Sequence, residues 1–478
     1  MKYNKRKMEQ FSEWIPKLYP EIKTYEENSE LRLLSRTFTF QVTDACNLAC
    51  TYCYQINKGV RRMSFETAKL AVDKLLSGDD GFDQYIDPKK VPAIILEFIG
   101  GEPFLEIDLI DKIVDYFRLR TIELDHPWKT KFIISICSNG VLYKDPKVQN
   151  FLQKNRDVIS FNVTVDGTKE LHDACRVFPN GAPSYDLAHF AATDWMNRGY
   201  LMGSKITIAP GNVQYFADCM LALIEDGYYQ INANCVYEYG WTLEHAQELY
   251  KQCKIFTDKF HKKYNIADYQ LSLFTDVWGM PLSEENNDNW CGGTGYMLAM
   301  DPDGYLYPCL RYMDSSLGKE QKPMIIGNVF DGLMKKQCEK DCVNCLSKIN
   351  RRSQSTDECF YCPIATGCGW CSAYNYQIYG TANKRVTAIC EMNKARALAL
   401  TYFYNSYYKK NNINEVHDLW VPKQWAVPII GEEEYNMLVE LTSSLGGYIN
   451  EDATMVKVEN EILPDETSRQ KLTILSRE

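Results

Sequence analysis

The stretch Thr37-Phe38-Thr39-Phe40-Gln41-Val42-Thr43-Asp44-Ala45-Cys46-Asn47-Leu48-Ala49-Cys50-Thr51-Tyr52-Cys53 decides the fold. Phe38, Phe40 and Val42 alternate with polar residues, the period-two pattern of a strand. That strand runs straight into a loop carrying Cys46, Cys50 and Cys53. Three thiolates on a tight loop can hold three irons of a [4Fe–4S] cluster and leave the fourth iron open to another ligand. The blander reading is a zinc knuckle short of one ligand, or plain buried thiols.

Downstream, strand-like and helix-like segments alternate. A helix is expected at Ser64–Leu76, then a buried strand at Ile94–Ile99 and a helix at Ile107–Arg118. Strands at Phe132–Cys137, Val158–Val165, Lys205–Ala209 and Tyr229–Val236 precede helices at Pro146–Lys154, Tyr185–Asn197, Val213–Asp226 and His245–Tyr264. Six βα units imply a parallel sheet with right-handed crossovers. They are too few for an eight-unit barrel, so an open or partial (β/α)6 barrel over 37–265 is expected, with chemistry at the C-terminal strand ends. Residues 1–36 read as a polar lead-in and 266–289 as a linker. A Cys-rich region over 290–400 follows, then a polar tail over 401–478 with one helix at Glu432–Ser443.

The composition narrows the function. Apolar residues make up 45% and charged residues 24% of the 478, the balance of an ordinary globular protein. The net charge of −10 makes nucleic acid a poor partner and suits a basic peptide segment better. Lys2, Lys5, Arg6 and Lys7 have no apolar run behind them, so no secretory signal is expected. No stretch of about 18 apolar residues occurs, so no membrane span is expected either. A cytoplasmic location follows as an expectation. The 18 cysteines against 6 histidines point to thiolate-only sites, iron–sulfur clusters or four-thiolate zinc. Ten of those cysteines fall between Trp290 and Cys390, in a region with little periodicity that metal is expected to organise.

Further motifs close the strands. Gly100-Gly101-Glu102-Pro103 follows the strand at Ile94–Ile99. Glycines there allow close backbone approach, and a carboxylate can accept bonds from an ammonium. Ser138-Asn139-Gly140 ends the next strand, and Thr164-Val165-Asp166-Gly167 the one after, with Arg176 twelve residues beyond Thr164. Together with the three-Cys loop and Tyr52, these motifs resemble the radical S-adenosylmethionine (SAM) enzymes. The resemblance implies that SAM chelates the open iron and is cleaved to a 5′-deoxyadenosyl radical. It also implies SAM contacts at Gln55, Gly100, Gly101, Glu102, Ser138, Thr164, Asp166 and Arg176. Glu102 would lie near the amino group, Thr164 at the ribose, Arg176 at the carboxylate and Gln55 at the adenine.

A second constellation is Cys291-x12-Gly304-x4-Cys309, then Cys359-x2-Cys362-x5-Cys368-x2-Cys371, then Cys390. It is similar to the SPASM extension of radical SAM enzymes, which holds two auxiliary [4Fe–4S] clusters, making three in all. The resemblance assigns Cys359, Cys362, Cys368 and Cys390 to the outer cluster, and Cys291, Cys309 and Cys371 to the inner. The family's last spacing is usually x3 rather than the x2 between Cys368 and Cys371. Cys345, or less readily Cys342, could complete the inner set; otherwise an iron stays open for a substrate thiolate. Cys338-x3-Cys342-x2-Cys345 repeats the first spacing, but no strand precedes it and no matching glycine turn follows. It therefore reads as a decoy for SAM binding.

Enzymes joining these two modules mostly modify peptides, and Cys362–Tyr374 with Arg385 and Cys390 looks like the maturases acting on Cys-x-x-x repeats. The implied product is a thioether cross-link on a precursor peptide with a leader and a Cys-containing core. A one-electron reductant such as flavodoxin or ferredoxin would drive the reaction. Formylglycine formation on sulfatases is the runner-up, although Leu310 stands where those enzymes place an Asp base. Carbon–carbon cross-links, epimerisation and tyramine excision remain open. A non-catalytic zinc module is the reading from another class.

Overall fold

The computed structural model describes residues 35–236, 240–288, 291–318 and 321–452, with the backbone of two short strands at 455–459 and 471–475. The lead-in expected at 1–36 lies outside these residues apart from Ser35 and Arg36. The described chain forms two compact units. One comprises 35–204, 226–228 and 291–349; the other comprises 205–225, 229–288 and the chain from 350 onward. These groupings differ from the sequence segments 37–265 and 290–400, since each segment contributes to both units.

The first unit is built on β1 (Arg36–Thr43), β2 (Ile94–Gly100), β3 (Phe132–Ser138) and β4 (Ile159–Val163), adjacent and parallel in that order. Helices Phe65–Ser77, Ile107–Glu123 and Pro146–Lys154 connect them. Every residue of β1 from Phe38 to Thr43 is buried, as parallel strands covered on both faces should be. Phe40 stacks on Phe98 with centroids 5.3 Å apart and meets Phe38 edge-on at 4.7 Å. The crossover helices start where expected. Ser64 accepts from Thr67 N, and Asp145 accepts from Lys147 N ahead of Pro146 at the first helical position.

On its other edge β1 pairs in parallel with Met297–Met300, which opens an antiparallel series continuing through Tyr305–Tyr307, Gly327–Asn328 and Gly332–Leu333. Leu298, Met300, Leu306, Tyr312, Ile326 and Leu333 are buried there. This corrects the expectation that metal alone organises the region, because 297–333 completes one hydrophobic core with the first strand.

The second unit contains a three-stranded sheet made of Gly203–Ile208, Gln230–Cys235 and Gln270–Leu271. Helix Leu243–Lys263 packs against helix Cys390–Asn411. Phe256, Phe260, Phe274 and Phe403 fill the space between them. The six expected βα units thus fall as four in one unit and two in the other. A short helix at Lys169–Cys175 was not anticipated. Among the described residues no helix is long and apolar enough to cross a membrane.

Candidate active site

The C-terminal ends of β1 to β4 are tied to one another, which gathers the four motifs on one edge. Register slips between Gln41 and Thr43, so that Thr43 lies opposite Gly100. Irregularities of this kind commonly re-aim a strand end beside an active site. Gly101 N donates to Thr43 O at 3.1 Å, Glu102 N to Ala45 O at 2.9 Å, and Thr164 N to Ser138 O at 3.0 Å.

The cysteine loop is held mainly through its backbone. Ala49 N donates to Val177 O at 2.7 Å and Thr51 N to Cys175 O at 2.9 Å, laying the loop along residues 175–177. Asn139 Nδ2 donates to Asn47 Oδ1 at 2.6 Å, and Leu48 is buried beneath. Cys46, Cys50 and Cys53 remain partly exposed. Burial pushes the Cys46 and Cys50 thiols up. The Leu48 N–H, 3.4 Å from Cys46 Sγ, and the Arg176 guanidinium, 3.8 Å from Cys50 Sγ, work against that.

Glycine is required where β2 meets this loop. A Cβ on Gly101 would lie 2.3 Å from Ala45 O and 2.7 Å from Cys46 Cβ, and one on Gly100 would lie 2.8 Å from Thr43 O. Neither contact can be relieved without moving the loop. Glu102, 1% exposed, accepts from Ser138 Oγ at 2.7 Å, Asn139 N at 2.8 Å and Phe104 N at 3.1 Å. Its carboxylate therefore braces the ends of β2 and β3. Burial raises it to about 6, and these three donors restrain the rise.

Asp166, Arg176 and Tyr52 form a buried cluster against the loop. Asp166 Oδ2 accepts from Arg176 Nε at 2.8 Å and from the Tyr52 hydroxyl, while its buried Oδ1 has no hydrogen-bond partner among the described residues. The guanidinium lies 5.2 Å from the Tyr52 ring centroid. Burial alone would draw Arg176 down, but the charges of Asp166, Tyr52 and Cys50 more than reverse it. His172 is fully buried, accepting from Asp166 N at 3.3 Å and meeting Ser184 Oγ at 3.1 Å. Burial lowers it to about 4, so it is neutral and holds the turn. Thr164 Oγ1 lies 3.4 Å from Cys137 Sγ, and the Nε2 of Gln55, 4% exposed, has no hydrogen-bond partner among the described residues.

The later cysteines divide between the units. In the second, Cys359, Cys362, Cys368 and Cys390 lie close enough to act on one another electrostatically. Burial, then their mutual proximity, brings Cys362 to about 12 and Cys390 to about 11. Arg385 Nη2 reaches Cys368 Sγ at 3.1 Å and Asn393 Nδ2 reaches it at 3.3 Å. Cys371 precedes helix Ser372–Tyr379 in the same unit. Cys291 and Cys309 belong to the first unit, with Cys345 exposed on helix Gln337–Ser347. Among the described residues no three His, Cys, Asp or Glu side chains converge as a single ion requires. Thiolates on one zinc share an atom at ~2.3 Å. A cubane sets each thiolate on its own iron and needs no such convergence, so three partly exposed thiols on one loop fit it.

No protein-family model matches the chain. Residues of this chain are 34% identical over 144 positions to the uncharacterized protein MJ0907 of Methanocaldococcus jannaschii, covering 30% of this chain and 43% of that one. They are 29% identical over 143 positions to the serine-type anaerobic sulfatase-maturating enzyme of Bacteroides thetaiotaomicron, covering 29% and 31%. The cysteine-type enzyme of Clostridium perfringens is 28% identical over 159 positions, covering 31% and 38%. The matched stretch spans less than half the length of these relatives. Among solved structures, anSMEcpe with bound AdoMet and the Kp18Cys peptide superposes with a TM-score of 0.56 at 17% identity, covering 80% of this chain and 98% of that one. SuiB of Streptococcus suis bound to its precursor peptide SuiA gives 0.50 at 13%, covering 75% and 78%. The chain has the radical SAM fold with a SPASM-type extension.

Sequence reading named the loop, the glycine turn, Asp166 and Arg176, and the structure brings these together. It missed the part of Tyr52 beside Asp166, and it missed His172, Ser184 and the 175–177 segment. The signal for His172 was its place in a short helix opened by Thr168, directly after the Asp166-Gly167 turn.

Proposed function

We propose that this protein is a radical SAM enzyme that modifies a precursor peptide, forming a thioether between a cysteine sulfur and a carbon of another residue. The observation that carries the reading is the partly exposed Cys46–Cys50–Cys53 loop, locked between Gly100–Glu102 and 175–177 with Arg176 at Cys50. When bound, SAM and a reduced cluster would supply a 5′-deoxyadenosyl radical, and auxiliary clusters an acceptor for one electron. Cys46, Cys50 and Cys53 would hold the first cluster, and Gly100 and Gly101 keep the backbone open for close approach of SAM. Arg176 and the unpaired Oδ1 of Asp166 offer charge for its amino-acid end, and Gln55 Nε2 offers a donor for its adenine. Thioether closure removes one hydrogen atom from carbon, one proton from sulfur and one further electron, two electrons in all, of which the radical would take the first with the hydrogen atom and an auxiliary cluster the second. A flavodoxin or ferredoxin would provide the reducing electron for SAM cleavage.

Formylglycine formation is the second reading, supported by the names of two curated relatives. Leu310 after Cys309 offers no base at that place. Anaerobic incubation of the reconstituted chain with SAM, dithionite and a Cys-containing precursor peptide separates the two. Deoxyadenosine with a peptide two hydrogens lighter, sulfur retained and its thiol blocked supports the thioether. Deoxyadenosine with loss of the peptide sulfur selects formylglycine, and no deoxyadenosine at all overturns both.

A further inference from the structure

The four parallel strands of the first unit present unlike faces. On one, Phe40, Leu96, Ile134 and Phe161 are fully buried. The alternate residues Glu97, Ser135, Cys137, Ser160 and Asn162 are half-buried or exposed. A packed barrel interior is filled by branched apolar side chains, whereas a polar and partly open one suits a bound polar ligand. Glu97 stands opposite Thr39 on one side and Ser135 on the other, and Thr39 Oγ1 donates to its Oε2 at 2.6 Å. Gln41 shares the Thr39 face of β1, and its buried Oε1 has no hydrogen-bond partner among the described residues. A buried acceptor in that state points to a donor supplied by a ligand.

This face adjoins the cysteine loop. Tyr54 follows Cys53 and carries Arg311, whose Nη1 lies 3.5 Å from Tyr54 O and whose guanidinium lies 5.6 Å from the ring centroid. Burial pushes the Tyr54 hydroxyl up; the charges of Cys53 and Glu97 add to this and Arg311 opposes it. Of all the residues in β1 to β4, Glu97 is the one acid. The acids at the strand ends already have work. Glu102 braces β2 and β3, Asp166 holds Arg176, and Asp44 accepts from Arg61 Nε at 2.6 Å. Glu97 lies three residues before Gly100, ~10 Å down the strand from the loop. That leaves room for a substrate residue between the carboxylate and the strand ends.

We propose that Glu97 is the catalytic base that takes the proton of the peptide's donor cysteine as its sulfur closes on carbon. The inference rests on the thioether reading, in which a base is needed and Leu310 supplies none. A cysteine thiol is mostly protonated at neutral pH, its ordinary value being ~8.5. Its proton grows more acidic as sulfur bonds to carbon, so a carboxylate within hydrogen-bond reach can accept it. The S–H bond breaks and the C–S bond forms, with the proton passing to Glu97. The C–H hydrogen atom goes to the deoxyadenosyl radical, and the remaining electron to an oxidised iron–sulfur cluster. Thr39 holds the carboxylate in place by its hydrogen bond.

The test uses the full reconstituted chain, SAM, dithionite and a precursor peptide that the parent cross-links, made with perdeuterated acceptor residues. The reading is cross-linked peptide formed per deuterium transferred to deoxyadenosine. In Glu97→Gln this ratio should fall by at least about 100-fold, whereas Cys137→Ala, which alters another side chain on the same face, keeps the parental ratio. A peptide with selenocysteine as the donor ionises near neutral pH without help. It should bring Glu97→Gln back to within about tenfold of the parent. Peptide affinity, read by fluorescence anisotropy on the unreconstituted chain, should change by less than about threefold. Should Glu97→Gln fail to fold, Glu97→Asp decides, with a fall of about tenfold that selenocysteine again removes. A parental ratio in the folded variant, an equal deficit with selenocysteine, or a loss of affinity matching the lost cross-linking overturns the proposal. So does loss of cross-linking in Cys137→Ala alone. With thioether still formed by the parent, each of these results removes this inference only. Deoxyadenosine from the parent with no thioether on any Cys-containing peptide removes the thioether reading, and this inference with it.

Discussion

The chain holds thiols in two contrasting ways. In the Cys46–Cys53 loop the backbone does the holding, through Ala49, Thr51 and the close approach of Gly101, and the sulfurs are left partly exposed with few donors. Around Cys368 side chains do the holding, with Arg385 and Asn393 both donating to one sulfur and four thiols drawn together. Backbone fixing leaves room in front of the thiols for a ligand that comes and goes. Side-chain donors fill that space and favour extra negative charge instead. The first arrangement suits chemistry on an open iron, and the second suits electron storage.

The comparison breaks most visibly at the loop. Cys50→Ala should abolish deoxyadenosine formation and remove about four of about twelve irons, leaving the C-terminal set loaded. Iron analysis and a SAM-cleavage assay check both halves, and loss of all the iron would mean the two regions are not independent. Gly101→Ala tests whether backbone approach is what matters. With a Cβ 2.3 Å from Ala45 O, the loop must shift by a sizeable part of an ångström. Cleavage should fall by about 100-fold, and the chain should lose roughly 1–3 kcal/mol in denaturant unfolding. A near-native rate would show that the loop is softer than its hydrogen bonds imply.

At the other region, Arg385→Gln removes a cationic donor from Cys368 without removing a thiol. Iron content should hold while the midpoint potential of one cluster falls, as read by EPR-monitored redox titration. SAM cleavage without peptide should suffer far less than from either loop substitution. An unmoved potential would mean that Arg385 is only packing.

The contrast also explains what the sequence reveals. The loop region is legible because its contacts are local or fall at successive strand ends. A Cys spacing, a Gly-Gly pair and an Asp-Gly turn each mark one strand terminus. The extension of the sheet is not legible. Met297–Met300 pairs with Thr37–Phe40 across some 260 positions, and the strands at 327–328 and 332–333 are too short to show a period. Nor does Cys-x3-Cys-x2-Cys spacing say whether a loop or a helix bears it. At 46–53 it lies on a loop and at 338–345 on a helix, and only the structure separates the two.

The smallest effect concerns the brace between the strands. Glu102 is fully buried, with its folded value raised by burial to about 6. A raised carboxyl contributes stability that is fully present below its unfolded value, ~4.3, and is lost as pH rises through the folded one. Glu102→Gln cannot titrate. Measured by denaturant unfolding, the stability of the parent relative to this variant should therefore decline by about 2 kcal/mol between pH 4.5 and 7. The decline should be complete by about pH 7, and the variant should keep its iron. A flat difference across that range would mean that Ser138, Asn139 and Phe104 offset the whole cost of burial, and that the carboxylate is as settled at the strand ends as the backbone beside it.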